Sequence, residues 1–224
     1  LASIVENDAI ANQVYEQIRL MIENGDLEPG ERINKKAIEE ILGVSQTPIN
    51  SALNRLVGEQ IIDIERRKGH VVRVLGCQEL IEIFGLRAGV ESVAARIACE
   101  RITDAEIDEL SALFAPFAPP VPPDREHEYI HADNCFHRKL VEFSGNTMLR
   151  TSFERYGIML KSNLQGLVRP ADDTIPEHHR IIDAFRQRDA VVVQLEVSDH
   201  ILKSRTRLIE TCRERASRMQ QRTA

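Results

Sequence analysis

Residues 29–74 read PGERINKKAIEEILGVSQTPINSALNRLVGEQIIDIERRKGHVVRV, and their spacing predicts two short helices followed by a hairpin. It opens on a Pro29-Gly30 turn. A short helix is predicted from Lys35 to Leu42, with Ala37, Ile38, Ile41 and Leu42 inward. Gly43 is its stop, because glycine tolerates the left-handed conformation that ends helices. The next helix starts at Ser45, an N-cap side chain, with Pro48 in the first turn where a missing N–H costs nothing. Its apolar face is Ile49, Ala52, Leu53 and Leu56; its other face is Gln46, Thr47, Asn50, Ser51, Asn54 and Arg55. Two β-branched runs, Ile61 to Ile64 and Val71 to Val74, flank a charged turn containing Gly69, the pattern of a hairpin. Upstream, Ile10, Val14, Ile18, Met21 and Ile22 share one helical face that stops at Gly25. Helix, helix, short turn, helix, hairpin is the order of a winged helix-turn-helix. The polar face of its third helix suits reading base edges in a major groove. The same spacing also fits a small helical domain with a polar surface.

The whole chain has 224 residues, 42% of them hydrophobic and 29% charged. That is room for one large or two small domains, and it excludes a disordered or collagen-like chain. No apolar run approaches ~18 residues, so no membrane span is expected. The opening LASIVENDAI lacks the basic start and apolar stretch of a secretory signal. A net charge of −6 excludes a globally basic coat for nucleic acid, though not a local basic patch. Cys77, Cys99, Cys135 and Cys212 are far apart with no C-x-x-C pair. Unpaired thiols in a reducing cytoplasm are therefore expected, rather than a disulfide framework or a four-thiolate zinc site.

Beyond Leu75-Gly76 the pattern is helical, near 78–100, 103–115, 125–144, 146–166, 175–187 and 190–218, with a proline-rich break, APFAPPVPPD, at 115–124. The expected fold is mainly α: a winged helix-turn-helix over residues 1–75 with a small β-hairpin wing, then an all-helical bundle over 78–218. One bundle helix carries an anomaly, the stripe Ile130, Asp133, His137, Leu140, Val141. A carboxylate on an inward stripe needs a compensating partner. The i, i+4 spacing lets Asp133 and His137 share a metal ion, or simply bond to each other. His178 follows a T-x-x-E start at Thr174–Glu177, and His200 falls three after Val197 on an apolar face. Asp133, His137, His178 and His200 form a one-carboxylate, three-imidazole set suited to Zn, Ni, Co, Fe or Mn. His127, His131 and His179 point elsewhere, and Cys135 reads as core packing.

The segment 29–74 resembles the DNA-binding domain of GntR-family bacterial transcription regulators. LRAGVESVAARIA (86–98), DNCFHRKLVEFSGN (133–146), EHHRIIDAFRQRDA (177–190) and DHILKSR (199–205) resemble the FCD ligand-binding domain of their FadR subgroup. The resemblance spans about residues 10 to 210. It implies a divalent metal on Asp133, His137, His178 and His200, the set already chosen from periodicity, and a small carboxylate or sugar-acid effector beside it. An arginine of the first bundle helix, here Arg87, is implied as effector-facing; a salt bridge to Glu91, four residues on, is the alternative. Asn146 reads as the cap of the next helix.

The chain departs from the family at the recognition helix. SQTPINSAL stands where the family usually has SRTPVREAL, so Gln46 and Asn50 replace two arginines. A neutral amide can read adenine through two hydrogen bonds but loses attraction to phosphate and bidentate pairing with guanine. The expected DNA-binding set is Lys35, Lys36, Ser45, Gln46, Thr47, Asn50, and Arg66, Arg67, Lys68 and His70 of the wing. Residues 1–75 hold nine Lys+Arg against twelve Asp+Glu. The expected protein is a cytoplasmic, homodimeric regulator whose affinity for a double-stranded operator responds to a small carboxylate near a divalent metal. Effector binding would act about the 75–77 hinge. Two alternatives stand: an effector-binding module with degenerate DNA binding that works through protein partners, and a metalloenzyme.

Overall fold

Val14, Ile18 and Ile22 lie on one face of α1 (Ala2–Glu23) and are buried against α3 (Gln46–Gly58), whose Ile49, Ala52, Leu53 and Leu56 are also buried. The computed structural model describes residues 2–155 and 168–223, with side chains placed over 9–154 and 168–218. Between α1 and α3 runs α2 (Lys35–Leu42). The Asn34 side chain caps it, accepting from the backbone N–H groups of Lys36 and Ala37. Gly43 ends it at φ +64°, a conformation that glycine adopts without the steric cost of a Cβ. Only Ile38 of α2 is buried; Ile41, expected inward, is 66% exposed. A helix of two turns meets its neighbour along a narrow stripe, and Ile41 falls outside it. Tyr15 and Glu59 are joined by a 2.6 Å hydrogen bond, with the Arg55 guanidinium 3.7 Å from the Tyr15 ring centre, clasping α1 to the end of α3.

Strands β1 (Ile62–Glu65) and β2 (Gly69–Val72) pair antiparallel, Ile62 opposite Val72 and Glu65 opposite Gly69. Arg32 adds a bridge to Val71. Arg66, Arg67 and Lys68 are the turn between the strands, so the wing tip is cationic. This is the mainly helical winged architecture expected.

A second compact unit begins at Gly76. It contains α4 (Cys77–Cys99), α5 (Asp104–Phe114), a 3-10 turn (Pro123–Arg125), α6 (Glu126–Phe143), α7 (Thr147–Arg155), α8 (Ala171–Arg186) and α9 (Ala190–Thr223). Helices α4 and α9 lie side by side along most of α4. Arg96 donates to Gln194 while Gly85 approaches Arg205, so the two run antiparallel. That packing brings Cys77 and Cys212 together in a disulfide with their Cα atoms 6.0 Å apart, which corrects the expectation of unpaired thiols. A separation of 135 residues hid the pairing, because only the antiparallel register makes the two positions neighbours. Cys99 and Cys135 are free.

Asn146 caps α7, accepting from the N–H groups of Met148 and Leu149 at 3.1 Å. The part of the predicted 146–166 helix beyond Arg155 lies outside the described residues. Helix α8 starts at Ala171, a turn earlier than the T-x-x-E signal suggested. Thr174 is therefore inside the helix, and its hydroxyl donates back to the carbonyls of Pro170 and Ala171 at 3.3 and 3.2 Å. His178 accordingly lies two turns into α8 rather than in its first turn. Among the described residues no helix is long and apolar enough to cross a membrane.

Candidate metal centre and nucleic-acid interface

Helix α6 carries Asp133 and His137 one turn apart, α8 carries His178, and α9 carries His200. One ligand atom from each of these four residues lies within 4.8 Å of the other three. The three imidazoles are buried and Asp133 is half-buried. Phe114 stacks on His178 at 4.2 Å between ring centres, and Phe136 meets it edge-on at 4.8 Å. These walls keep water from the imidazoles and hold their planes.

What fixes each ring is the atom turned away from the cluster. His137 Nδ1 bonds to Glu91 Oε2, and Arg87 Nε holds the other oxygen of Glu91 at 2.8 Å. His200 Nδ1 bonds to Glu177 Oε2 at 2.8 Å, and Arg169 forks onto both Glu177 oxygens at 2.8 and 2.9 Å. Burial pushes both carboxyls up, but Arg87 and His137 hold Glu91 below the usual range, and His200 and Arg169 do so for Glu177. Both are carboxylates, which only accept, so the hydrogen of each ring is on Nδ1.

His178 reaches the same state by a different route. Burial drives its pKa down to about 3, with His200 adding to the effect, so it is neutral and carries one hydrogen. Its Nδ1 is 3.2 Å from the Tyr129 hydroxyl, which is 2.6 Å from Thr174 Oγ1. The Thr174 hydroxyl donates to backbone carbonyls, which cannot donate back. With Tyr129 donating to Thr174, His178 Nδ1–H donates to Tyr129 and Nε2 is a buried lone pair turned toward Asp133; with the hydrogen-bond chain reversed, Nε2–H faces Asp133 Oδ1 at 3.2 Å.

The imidazoles of His137, His178 and His200 converge on one carboxylate. Burial pushes the Asp133 carboxyl up, but the charged forms of these rings and a hydrogen bond from His178 outweigh it and hold it below the usual carboxylate range. His178 Nε2 is 3.2 Å and His137 Nε2 is 3.8 Å from Asp133 Oδ1. With the facing ring nitrogens unprotonated, acceptors meet an acceptor in a buried site, and a shared cation removes that cost. Neutral imidazoles with the far nitrogen bonded to a carboxylate or hydroxyl are the form in which histidine binds divalent metals. The residues fit a divalent ion.

The sequence pattern points to all four residues of the cluster but not to Glu91, Glu177 or Tyr129 behind them. Glu91 entered only as a possible partner of Arg87, and Glu177 only as a cap residue. The signal available was position: Tyr129 is one turn before Asp133, and Glu177 precedes His178. Arg87 is buried in its ion pair with Glu91, beside the Phe84 ring at 4.8 Å, which is the alternative weighed for it. His127, His131 and His179 are exposed.

In the first unit, Gln46 and Thr47 open α3 and are exposed with its cap Ser45, while Asn50 is half-buried. Gln46 Nε2 donates to Glu39 Oε2 at 3.4 Å. Lys35 Nζ donates to Asn50 Oδ1 at 2.6 Å. Lys36 and the wing residues Arg66, Arg67 and Lys68 are exposed, with Lys68 Nζ 3.1 Å from Glu65. His70 differs from the rest of the expected set. It is half-buried with its Nε2 enclosed, and burial and Lys35 lower its pKa.

Comparison with known proteins accords with both units. The FCD domain model matches residues 82–203, and the model for bacterial regulatory proteins of the gntR family matches residues 10–72. The chain is 27% identical over 193 residues to the uncharacterized HTH-type transcriptional regulator YdhC of Bacillus subtilis, covering 84% of this chain and 86% of that one. It is 39% identical over 131 residues to the Nta operon transcriptional regulator of Aminobacter aminovorans, covering 54% and 57%. Among solved structures, Escherichia coli McbR/YncC superposes with a TM-score of 0.77 at 22% identity, over 90% of this chain and 98% of that one.

Proposed function

This chain belongs to the GntR family of bacterial regulatory proteins and carries an FCD domain, and from that premise we propose that its operator affinity is set by a small carboxylate bound at a divalent metal in the helical unit. The chain is a transcription regulator and not an enzyme. The observation that carries the effector reading is the convergence of three imidazoles and one carboxylate, with one ligand atom of each within 4.8 Å of the others. Asp133, His137, His178 and His200 would hold the metal, which when bound supplies a Lewis-acidic point for an anion. Charge favours an anion there. Glu91 and Glu177 are each paired with an arginine, so Asp133 is the one carboxylate left to offset a divalent ion. A carboxylate effector removes the remaining positive charge. Arg87 is the buried cation nearest His137 through Glu91, and in this reading it is drawn toward the effector.

The protein would act in the cytoplasm as a homodimer, since one winged helix contacts too few phosphates and bases for tight operator binding. Ser45, Gln46, Thr47 and Asn50 would face bases, with Lys36, Arg66, Arg67 and Lys68 on phosphate. The effector acts only through its different affinity for the DNA-competent and DNA-released arrangements. A second reading keeps the effector site but gives the output to a protein partner; the loss of two arginines at Gln46 and Asn50 favours it. Selection from a random DNA pool, with metal and a panel of small carboxylates each present and absent, separates the two. An enriched operator whose affinity changes with carboxylate only in metal-loaded protein supports the first reading. No enrichment under any condition overturns it in favour of the second.

A further inference from the structure

Asn50 stands where a family arginine would reach DNA, yet its amide is not free to act as an ordinary asparagine. Lys35, the first residue of α2, places its ammonium 2.6 Å from Asn50 Oδ1. The assignment is chemically forced, because an ammonium only donates and the amide oxygen is the only acceptor of that side chain. The bond is charge-assisted, short and partly buried between α2 and α3, and the wing residue His70 lies close enough for Lys35 to lower its pKa. Asparagine recognises adenine by using both halves of its amide, accepting from N6 and donating to N7. With an ammonium on Oδ1, one of its two lone pairs is taken and a cationic donor stands beside the amide, which disfavours the adenine pairing.

The pair has something else to offer. Asn50 keeps the two hydrogens of its amide nitrogen, and Lys35 keeps two further N–H groups and its charge. A cationic head with two adjacent donor groups is what an arginine brings to the O6 and N7 acceptors of guanine. We propose that Lys35 and Asn50 act together as a composite recognition element that reads guanine in the operator, replacing the missing arginine with two residues from successive helices. Lys35 is thereby a specificity-determining residue and not only a phosphate contact. The inference rests on the DNA-binding half of the function proposed above.

The test is operator selection from a random DNA pool by the full-length protein, repeated for Lys35→Met, Lys35→Arg and Asn50→Ala, with folding checked by circular dichroism. Wild type is expected to enrich guanine at the base pair opposite α3 that Asn50→Ala leaves unspecified. Lys35→Met frees Oδ1 and keeps the aliphatic stem, so the preference at that one position should move from guanine to adenine by about tenfold or more, within the range for a bidentate pair. Lys35→Arg, which keeps a cationic donor, should retain guanine. Adenine at that position in the wild-type operator overturns the proposal. So does a Lys35→Met protein that binds every sequence more weakly while preferring the same bases, since that is how a phosphate contact behaves. If no sequence is enriched by wild type, the DNA-binding reading itself fails and the composite element falls with it.

Discussion

The Nε2 atom of His178 lies 3.2 Å from Oδ1 of Asp133 in a buried cluster. A proton or a metal ion between them satisfies both, and the carboxylates behind His137 and His200 hold the remaining ring nitrogens toward the same point. Purified protein is expected to carry about one divalent ion per chain by elemental analysis, and His137→Ala or His178→Ala to lose most of it. Chelation should lower the melting temperature, because ligand bound to the folded state alone adds about 2.7 kcal/mol at a hundredfold excess over Kd. Glu177→Gln removes the charge behind His200 while keeping an acceptor, and metal affinity should fall about 10–100-fold in competition with a chelator. Protein purified without chelator that is folded and metal-free would count against the site.

Arg87 and Glu91 form a fully buried ion pair, so removing one partner strands the other. Arg87→Ala is expected to destabilise the helical unit by about 3–5 kcal/mol in urea unfolding. Replacing both with Met should recover most of that, since the desolvation cost disappears with the charges. The double variant should nevertheless bind metal more weakly, because His137 loses the acceptor that sets its tautomer. A double variant no more stable than Arg87→Ala would show that the pair contributes more than charge neutralisation.

The same two residues show what a sequence can and cannot disclose. The i, i+4 spacing of Arg87 and Glu91 made their pairing readable, as the 4-residue step from Asp133 to His137 made the centre readable. The helix period is local, so any contact it generates can be counted along the chain. Glu91 behind His137 and Cys77 beside Cys212 depend on how α4 lies against α6 and α9, which no local period encodes. Ile41 was misjudged for a related reason. Its helical phase is apolar, but among the described residues nothing covers that side of the short α2. Thr174 was read as a cap because caps and interior back-bonding threonines share one local chemistry, and only the position of Pro170 separates them.

Tyr15 gives the DNA-binding unit an alkaline limit. Burial, with the Glu59 carboxylate adding to it, pushes its phenol up to about 12 from 10. Below pH 10 the phenol is neutral in both states and the stabilisation is complete. Between about 10 and 12 the unfolded chain ionises while the folded one does not, so stability falls as pH rises. The loss across that window is about 2–3 kcal/mol at ~1.36 kcal/mol per unit. Tyr15→Phe should abolish this segment of the pH dependence and lower stability near neutrality by about 1.5–3 kcal/mol, the range for a hydrogen bond to a charged group. Chemical denaturation at pH 8, 10 and 11.5 for both proteins measures the effect.

The disulfide between Cys77 and Cys212 closes a loop of 135 residues across α4 and α9. In the chain-entropy account a loop of that size stabilises by on the order of 4–5 kcal/mol. Dithiothreitol or Cys212→Ser should therefore lower the melting temperature of the helical unit, and a non-reducing gel should show oxidised protein running faster. A melting temperature indifferent to reductant, with the bond verified by mass spectrometry, would place the stability of the α4–α9 pair in its packing alone.

Salt dependence separates the contacts of the DNA-binding unit that position the protein from those that read sequence. Arg66, Arg67 and Lys68 form the exposed turn of the wing, and Lys68 is partly offset by Glu65. Each phosphate contact releases counterions and adds about 0.9 to the slope of log affinity against log salt. Changing all three to Ala should flatten the slope by up to about 2.7 per bound chain and weaken operator and random DNA alike. Gln46 behaves oppositely. It is exposed at the start of α3, with its amide 3.4 Å from Glu39, and it carries no charge into the groove. Gln46→Arg should raise affinity for random DNA, steepen the slope, and move the base preference at its contact toward guanine. Titrating fluorescent operator and random duplexes over a range of salt gives both slopes for wild type and the two variants. A Gln46→Arg protein with an unchanged slope would mean that this end of α3 does not enter the groove, and the register of the recognition helix would have to be shifted toward Asn54.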